Sequence, residues 1–254
     1  MLPYEDEHSL ALLYHANSEP WLNLPAYTSY PGQMAFKTVG PEEVGIALPE
    51  PGDSPLLRLI GARRSCREFT GAPVALADLA ALLHAGYGVL GLRRWPDGLR
   101  TYQRAVPSAG GLYPLEVYVA AYAVEGLAPD VYHFDARRRR LEPLGRGARP
   151  VEQLPALMDQ TFLENAGAVV FLTAVFRRTM RKYGPRGYRY VLFEAGHAAQ
   201  NICLRAIELG VGCVCLGGYR DSALNRTLGL DGVGEAVVYG VAVGHEEPPP
   251  APRA

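Results

Sequence analysis

The sequence lacks the features that mark secreted, membrane-spanning or nucleic-acid-binding proteins. Its 254 residues include only four cysteines, none in a CxxC pair, and no apolar run long enough to span a bilayer. The acidic start, Tyr4 to Glu7, has neither the basic region nor the apolar core of a signal peptide. A net charge of -1 indicates no affinity for nucleic acid or anionic membranes. We therefore expect a cytoplasmic protein with reduced thiols.

Several catalytic and metal-binding signatures are also absent. The chain contains no P-loop, no GxSxG elbow and no HExxH motif. Glu194 and His197 lie three residues apart in a predicted helix, but without a third ligand their spacing favours helix packing or an interface hydrogen bond. Cys213 and Cys215 alternate in an apolar run, which predicts small buried residues on one face of a strand.

The composition that remains is that of a globular protein. Hydrophobic residues make up 48% and charged residues 20%, over a length that can bury a large core. Proline and glycine turns predict an irregular N-terminal arm over residues 1–52, and a Pro-rich tail over residues 246–254. Residues 53–245 form the body between them. The arm's aromatic residues predict that it packs onto the body; they are Trp21, Tyr27, Tyr30 and Phe36.

Helical and strand-like patterns alternate along the body, which predicts an α+β or α/β fold. The predicted helices are Ser9–Ala16, Leu76–Tyr87, Tyr190–Leu209 and Asp221–Leu228, the last with Asp221 as N-cap. The predicted strands are Leu115–Val124, Asp130–Phe134, Leu141–Leu144, Ala168–Phe176, Cys213–Leu216 and Ala236–Val243. The second and third strands form a hairpin. Its tip carries the run Arg137–Arg140, which is interpreted as a solvated turn rather than a phosphate patch.

Three segments combine small or basic residues in patterns suited to an anionic or flat ligand. Their candidate cofactor-binding residues are Arg63, Arg64, Ser65 and Arg67; Pro107, Ser108, Ala109 and Gly110; and Leu216, Gly217, Gly218 and Arg220. Guanidinium groups in the first segment suit a phosphate, and the alternative is a solvated basic loop. Small residues in the second allow close approach to a flat ring, and the alternative is a tight turn. The third precedes a helix, where amides can hold phosphate, but it is not GxGxxG and a Rossmann site is disfavoured.

Taken in order, these segments resemble the nitroreductase superfamily, and within it the SagB-type dehydrogenase branch that includes azoline oxidases of thiazole and oxazole peptide biosynthesis. The matching text is RRSCREF at 63–69, PSAGGLYPLEVYV at 107–119, YRYVLFEAGHAAQN at 188–201 and LGVGCVCLGGYRDSALNRTLGLDG at 209–232. The likeness covers about residues 54–244, and the YHANSE stretch of the arm resembles that branch too.

The resemblance implies an α+β fold in which helices sandwich a mixed sheet. It implies a homodimer formed through the long helix Tyr190–Leu209, with FMN at the dimer interface. The first segment would then bind the phosphate and ribityl chain, the second would face the isoalloxazine ring, and the third would lie near the flavin. One departure is that His245-Glu246 follows the last glycine, where relatives often carry a basic residue. That departure leaves a late phosphate contact to Arg220.

The resemblance also gives Lys182 and Tyr183 a role. A Lys-Tyr pair at this position is associated with proton abstraction from the heterocycle in azoline oxidases. A lysine that is partly desolvated beside other cations, here Arg178, Arg181 and Arg186, can act as a base. On residue types alone, the pair would simply end a basic surface helix.

The function expected from the resemblance is an FMN-dependent dehydrogenase that oxidises thiazoline or oxazoline rings in a peptide, with a cyclodehydratase as a partner. One alternative is an NAD(P)H-dependent nitro- or quinone reductase. Another is a non-catalytic scaffold of a peptide-modifying complex.

Overall fold

The computed structural model describes residues 10–19, 37, 39–40, 45–98, 100–145 and 148–247. The helices are α1 (Leu10–Asn17), α2 (Pro55–Ala62), α3 (Leu76–Tyr87), α4 (Ala148–Met158), α5 (Arg177–Tyr183), α6 (Arg186–Leu209) and α7 (Asp221–Leu228). The strands are β1 (Val89–Arg94), β2 (Arg100–Arg104), β3 (Leu115–Ala121), β4 (Asp130–Asp135), β5 (Arg140–Pro143), β6 (Ala168–Val175), β7 (Gly212–Leu216) and β8 (Glu235–Gly244). The arm residues Trp21, Tyr27, Tyr30 and Phe36 lie outside the described residues.

A six-stranded sheet in the order β5-β4-β3-β6-β8-β7 forms the centre of the fold. Every pairing between these strands is antiparallel, so the sheet is not mixed as the resemblance implied. The continuous apolar run of β6 is buried on both faces, since Val170 and Leu172 belong to one core and Val169 and Phe171 to the other. Helices α3 and α6 cover the first face, and α4 and α7 the second. The expected α+β class is therefore confirmed.

The long helix α6 begins at Arg186, four residues before its predicted start. Pro185 at its N-cap has no amide hydrogen to lose, so the helix can begin directly after it. The preceding Gly184 ends α5 with a positive φ of 57°. The basic segment thus forms a helix, a sharp turn and the first turn of α6. Gly210 ends α6 in the left-handed conformation, as predicted.

The predicted cap of α7 is wrong, and other elements were not anticipated. Arg220 is the N-cap, and its carbonyl accepts the Leu224 amide, while Asp221 lies in the first turn. Helices α2 and α4 and the β1–β2 hairpin have no counterpart in the prediction. The hairpin β4–β5 does form, with the arginine run Arg137–Arg140 at its turn and the start of β5.

Two cysteines of β7 lie against α6. Cys215 Sγ lies 3.7 Å from Cys203 Sγ, and Cys213 Sγ lies 3.9 Å from the Cys203 carbonyl, so both lie on one face of the strand as predicted, with Cys213 buried and Cys215 half-buried. Within the described ranges, no helix is long and apolar enough to cross a bilayer. The same ranges hold no group of three or more His, Cys, Asp or Glu residues suited to a metal ion.

Candidate functional site

One end of the sheet brings together two segments that are distant in the sequence. Leu115 at the start of β3 pairs with Ala174 near the end of β6, and the Val175 amide donates to the Pro114 carbonyl at 2.9 Å. Because the two strands are antiparallel neighbours, the loop that enters β3 and the helix that follows β6 lie at the same end of the sheet. Residues 107–114 therefore lie beside α5.

At this end of the sheet the side chains of Lys182 and Tyr183 converge on Gly110. A Cβ placed on Gly110 would lie 2.9 Å from Lys182 Nζ and 2.9 Å from Tyr183 Oη. Gly110 also has a φ of +65°, which disfavours any residue with a Cβ. Lys182 Nζ lies 5.3 Å from the centre of the Tyr183 ring. The structure thus brings the predicted Lys-Tyr pair into contact range of the predicted ring-facing loop.

An open depression of about 390 Å³ adjoins this pair, lined by Leu112, Arg178, Arg181 and Lys182. Three of its four lining residues are cationic, so the depression is suited to a ligand with negative charge. Lys182 itself is exposed in the single chain. The partial desolvation expected for this lysine is therefore not provided by the described residues alone.

Arg178 is held in this depression by the half-buried carboxylate of Glu116. Its guanidinium lies 2.6 Å from Glu116, which also hydrogen-bonds His133 Nε2 at 3.1 Å. The hydrogen bond with Glu116 raises the pKa of His133. Burial opposes ionisation of Glu116, yet His133 and Arg178 together lower the pKa of that carboxyl.

His133→Gln is expected to remove a pH-dependent part of the stability. The contribution of His133 is complete below its ordinary pKa of 6.5 and is lost as the pH rises through its raised folded value. The difference in free energy of unfolding between wild type and His133→Gln should therefore be larger at pH 5.5 than at pH 8.5, by about 0.5–1 kcal/mol. Urea unfolding at both pH values measures this. His197→Gln, an exposed position on α6, is the control, and an equal pH response of both variants would contradict the assignment.

A buried hydrogen-bond network holds the 107–114 loop from the opposite side. Glu194, 2% exposed on α6, accepts the Tyr87 hydroxyl at 2.7 Å and also hydrogen-bonds Ser108. The Ser108 hydroxyl oxygen accepts the Tyr113 amide at 2.9 Å. Burial raises the pKa of Glu194, against the effect of these hydrogen bonds. Glu194 therefore serves in packing, as expected, and additionally positions the loop, which spacing in the sequence did not reveal.

The arginine segment lies beside the edge strand β7. The Cys66 amide donates to the Cys213 carbonyl at 2.9 Å, and Cys66 is buried while Arg63, Ser65 and Arg67 are exposed. Arg64 instead makes a 2.7 Å ion pair with Glu246. Arg63, Arg64, Ser65 and Arg67 are thus all exposed beside β7, and their role in binding an anion stays a prediction.

The third candidate segment follows the other end of β7. Leu216 ends the strand and is buried, Gly217 and Arg220 are exposed, and the Arg220 amide donates to the Leu157 carbonyl at 2.9 Å. A Cβ on Gly218 would meet nothing within 4 Å, so the space beside it is open. Strands β7 and β3 are three strand spacings apart, or about 14 Å. Along the registers Cys213 aligns with Ala121 at the far end of β3, so the arginine segment lies at the opposite end of the sheet from the Lys182–Gly110 group as well as three strands away.

Comparison with known proteins finds relatives within one family. A model of the nitroreductase family matches residues 60–245. A protein of Methanocaldococcus jannaschii named as a nitroreductase is 37% identical over 183 residues, 72% of this chain and 88% of the relative. The microcin B17-processing protein of Escherichia coli is 29% identical over 134 residues. Those residues are 51% of this chain and 49% of that relative, so the chain spans about half of the microcin-processing protein.

Solved structures give the same fold. A Ralstonia eutropha structure described as a nitroreductase superposes with a TM-score of 0.63 at 27% identity, covering 89% of this chain and all of the other. A chain of the Escherichia coli microcin synthetase complex with truncated pro-MccB17 bound gives 0.58 at 21% identity, covering 88% and 79%. A Desulfovibrio desulfuricans structure described as a nitroreductase in complex with FMN gives 0.54 at 20% identity, covering 78% and 89%.

Proposed function

The chain belongs to the nitroreductase family, and on that premise we propose that it is an FMN-dependent dehydrogenase that oxidises azoline rings in a peptide to azoles. The resemblance expected from four motifs is confirmed at the level of the family. The observation that carries the finer proposal is the convergence of Lys182 Nζ and Tyr183 Oη on Gly110. The relationship to a microcin-processing protein supports a peptide substrate.

The residues proposed to hold FMN fit its chemistry. Arg63, Ser65 and Arg67 are exposed and make no ion pair or side-chain hydrogen bond with the described part of the chain. Two guanidinium groups and a hydroxyl match the oxygens of a phosphate dianion. The open space beside Gly218 leaves room for a flat ring near the backbone. Pro107, Ser108 and Ala109 would face the ring, and Leu216, Gly217 and Arg220 would flank it.

Aromatising a thiazoline or oxazoline removes a proton from one ring carbon and a hydride from its neighbour. When bound, FMN would supply the hydride acceptor, with dioxygen as the oxidant that regenerates it. The remaining task, which falls to the chain, is removal of the proton. The Lys182 amine takes the proton from the ring carbon, and the Tyr183 hydroxyl beside it orients the ring or relays the proton. Gly110 keeps the space between them open.

The proposed partners are a second copy of this chain and a cyclodehydratase that supplies the azoline. Helix α2 leads directly into the arginine segment and exposes Leu56, Leu57 and Ile60 at 57%, 44% and 46%. Helix α6, which contacts α2, exposes Phe193 at 55%. These apolar side chains support a dimer in which α6 contributes to the interface. The microcin synthetase complex, in which a chain of this fold occurs beside others, supports a cyclodehydratase partner.

The test is to follow the purified protein's visible spectrum under anaerobic conditions. We expect flavin bands at about 370 and 450 nm, bleached by a thiazoline peptide with formation of a thiazole about 2 Da lighter. NAD(P)H that bleaches the flavin within seconds, with no reaction of the thiazoline, would favour a nitro- or quinone reductase, which the Methanocaldococcus relative's name supports. A colourless protein that takes up no added FMN would contradict the flavin assignment.

A further inference from the structure

The segment that carries Lys182 has an unusual charge. Six cations fall within thirteen residues of α5 and the first turn of α6, and they form what we term the basic face; they are Arg177, Arg178, Arg181, Lys182, Arg186 and Arg189. No Asp or Glu occurs between Glu164 and Glu194. In a chain whose net charge is only -1, this is a strong local concentration of positive charge.

Little of that charge is neutralised within the fold. Among the described residues, the ion pair between Arg178 and Glu116 is the only one that the basic face makes. The other five cations are exposed. Like charges held close together repel one another and cost stability, so this cluster beside a candidate active site suits a ligand that neutralises it.

The basic face also has shape. Lys182 lies in the depression of about 390 Å³ described above. A second depression of about 510 Å³ lies farther along, where Arg186 and Arg189 meet the apolar side chains of Leu10 and Leu192. Helix α5 alone extends over about 10 Å, so the two depressions together exceed the size of a single phosphate group. They suit an extended ligand that carries both carboxylates and apolar side chains.

We propose that the basic face is the docking surface for an acidic segment of the substrate peptide, adjacent to the ring that is oxidised. This inference rests on the proposed function and adds the substrate class. The flavin phosphate has its own candidate segment at Arg63–Arg67, beside β7 at the opposite end of the sheet, and so does not account for these cations. The apolar walls of the second depression favour a peptide over a nucleotide, whose contacts would be one flat base and its phosphates.

The experiment compares two thiazoline peptides that differ only in having Asp or Asn at the positions flanking the ring. Wild type is expected to oxidise the Asp peptide with roughly tenfold higher kcat/KM at about 50 mM salt, and the advantage should shrink at about 500 mM salt. Most of the difference should lie in KM, because docking charges act before the chemical step.

A pair of charge-matched variants locates the effect. Arg186→Gln with Arg189→Gln should abolish the preference for the Asp peptide. Arg139→Gln with Arg140→Gln, at the β4–β5 turn outside the basic face, removes the same charge and should keep it. Equal kcat/KM for both peptides in wild type at low salt would overturn the docking surface, even if the first variant does not fold. If NADPH bleaches the flavin in a salt-dependent reaction that is weakened only in Arg186→Gln with Arg189→Gln, the surface binds a nucleotide and the proposal is overturned. If neither peptide bleaches the flavin, the proposed function itself fails.

Discussion

Lys182→Ala is expected to lower kcat for azoline oxidation by about 10²- to 10⁴-fold, the range for removal of a general base. The lysine is exposed at the end of α5, so its loss should leave the fold and the FMN content intact. The defect should lie in the step that reduces the flavin. Anaerobic stopped-flow measurement at 450 nm with a thiazoline peptide should therefore show slow bleaching, while dithionite bleaches the variant as fast as wild type.

Two further variants separate the amine from its charge. Arg181→Ala removes a neighbouring exposed cation from the same depression and should retain most of kcat, with an effect mainly on KM. Tyr183→Phe keeps the ring but loses the hydroxyl. If that hydroxyl orients the substrate or relays the proton, its kcat should lie between those of Lys182→Ala and Arg181→Ala. A Lys182→Ala variant that stays within about threefold of wild type would show that the pair merely ends a surface helix.

Gly110→Ala is expected to lower kcat/KM by about 10²-fold, since misplacement of reacting groups by about 1 Å has effects of that size. The new methyl group would lie 2.9 Å from both Lys182 Nζ and Tyr183 Oη, closer than side-chain carbon atoms normally approach. The flexible ends of both side chains must then move away, so activity should fall further than stability. Steady-state kinetics combined with thermal unfolding measure the two effects.

Gly111→Ala provides a matched control for the backbone. Gly111 has the same φ of +65°, but a Cβ there meets nothing within 4 Å. Both variants should lose stability by about 1–2 kcal/mol, the cost of a left-handed conformation for a residue with a side chain. The difference between their activities then reports displacement of Lys182 and Tyr183 alone. Equal activity losses would mean that strain in the loop, rather than contact with the pair, limits the reaction.

The sequence was sufficient where periodicity and burial coincide. Helix α3 has the predicted bounds because leucines at helical spacing face the core. The hairpin β1–β2 was missed because its strands are largely exposed and carry arginines rather than an alternating apolar pattern. Helix α2 buries no residue, although Ser54, which accepts the Leu57 amide, and Pro55 form a recognisable helix start.

For the site, local patterns predicted which residues matter but not which of them meet. Nothing in the basic segment specifies that Lys182 and Tyr183 reach Gly110, because that contact depends on the pairing of β3 with β6. The role of Glu194 was hidden for the same reason, since its partners Tyr87 and Ser108 come from other elements. The exposure of Lys182 likewise depends on what surrounds α5 in space rather than in sequence.

Because of the β3–β6 register, the geometry of the candidate active site also depends on the length of the connections that follow β6 and precede β3. Gly110 lies five residues before the first residue of β3, and Lys182 lies seven residues after the last residue of β6. The hydrogen bond from the Val175 amide to the Pro114 carbonyl joins these two strand ends. One residue inserted into α5 ahead of Lys182 would move its side chain by about 1.5 Å along the helix and turn it by about 100°, away from Gly110. The two short connections that place Lys182 beside Gly110 are therefore constrained in length.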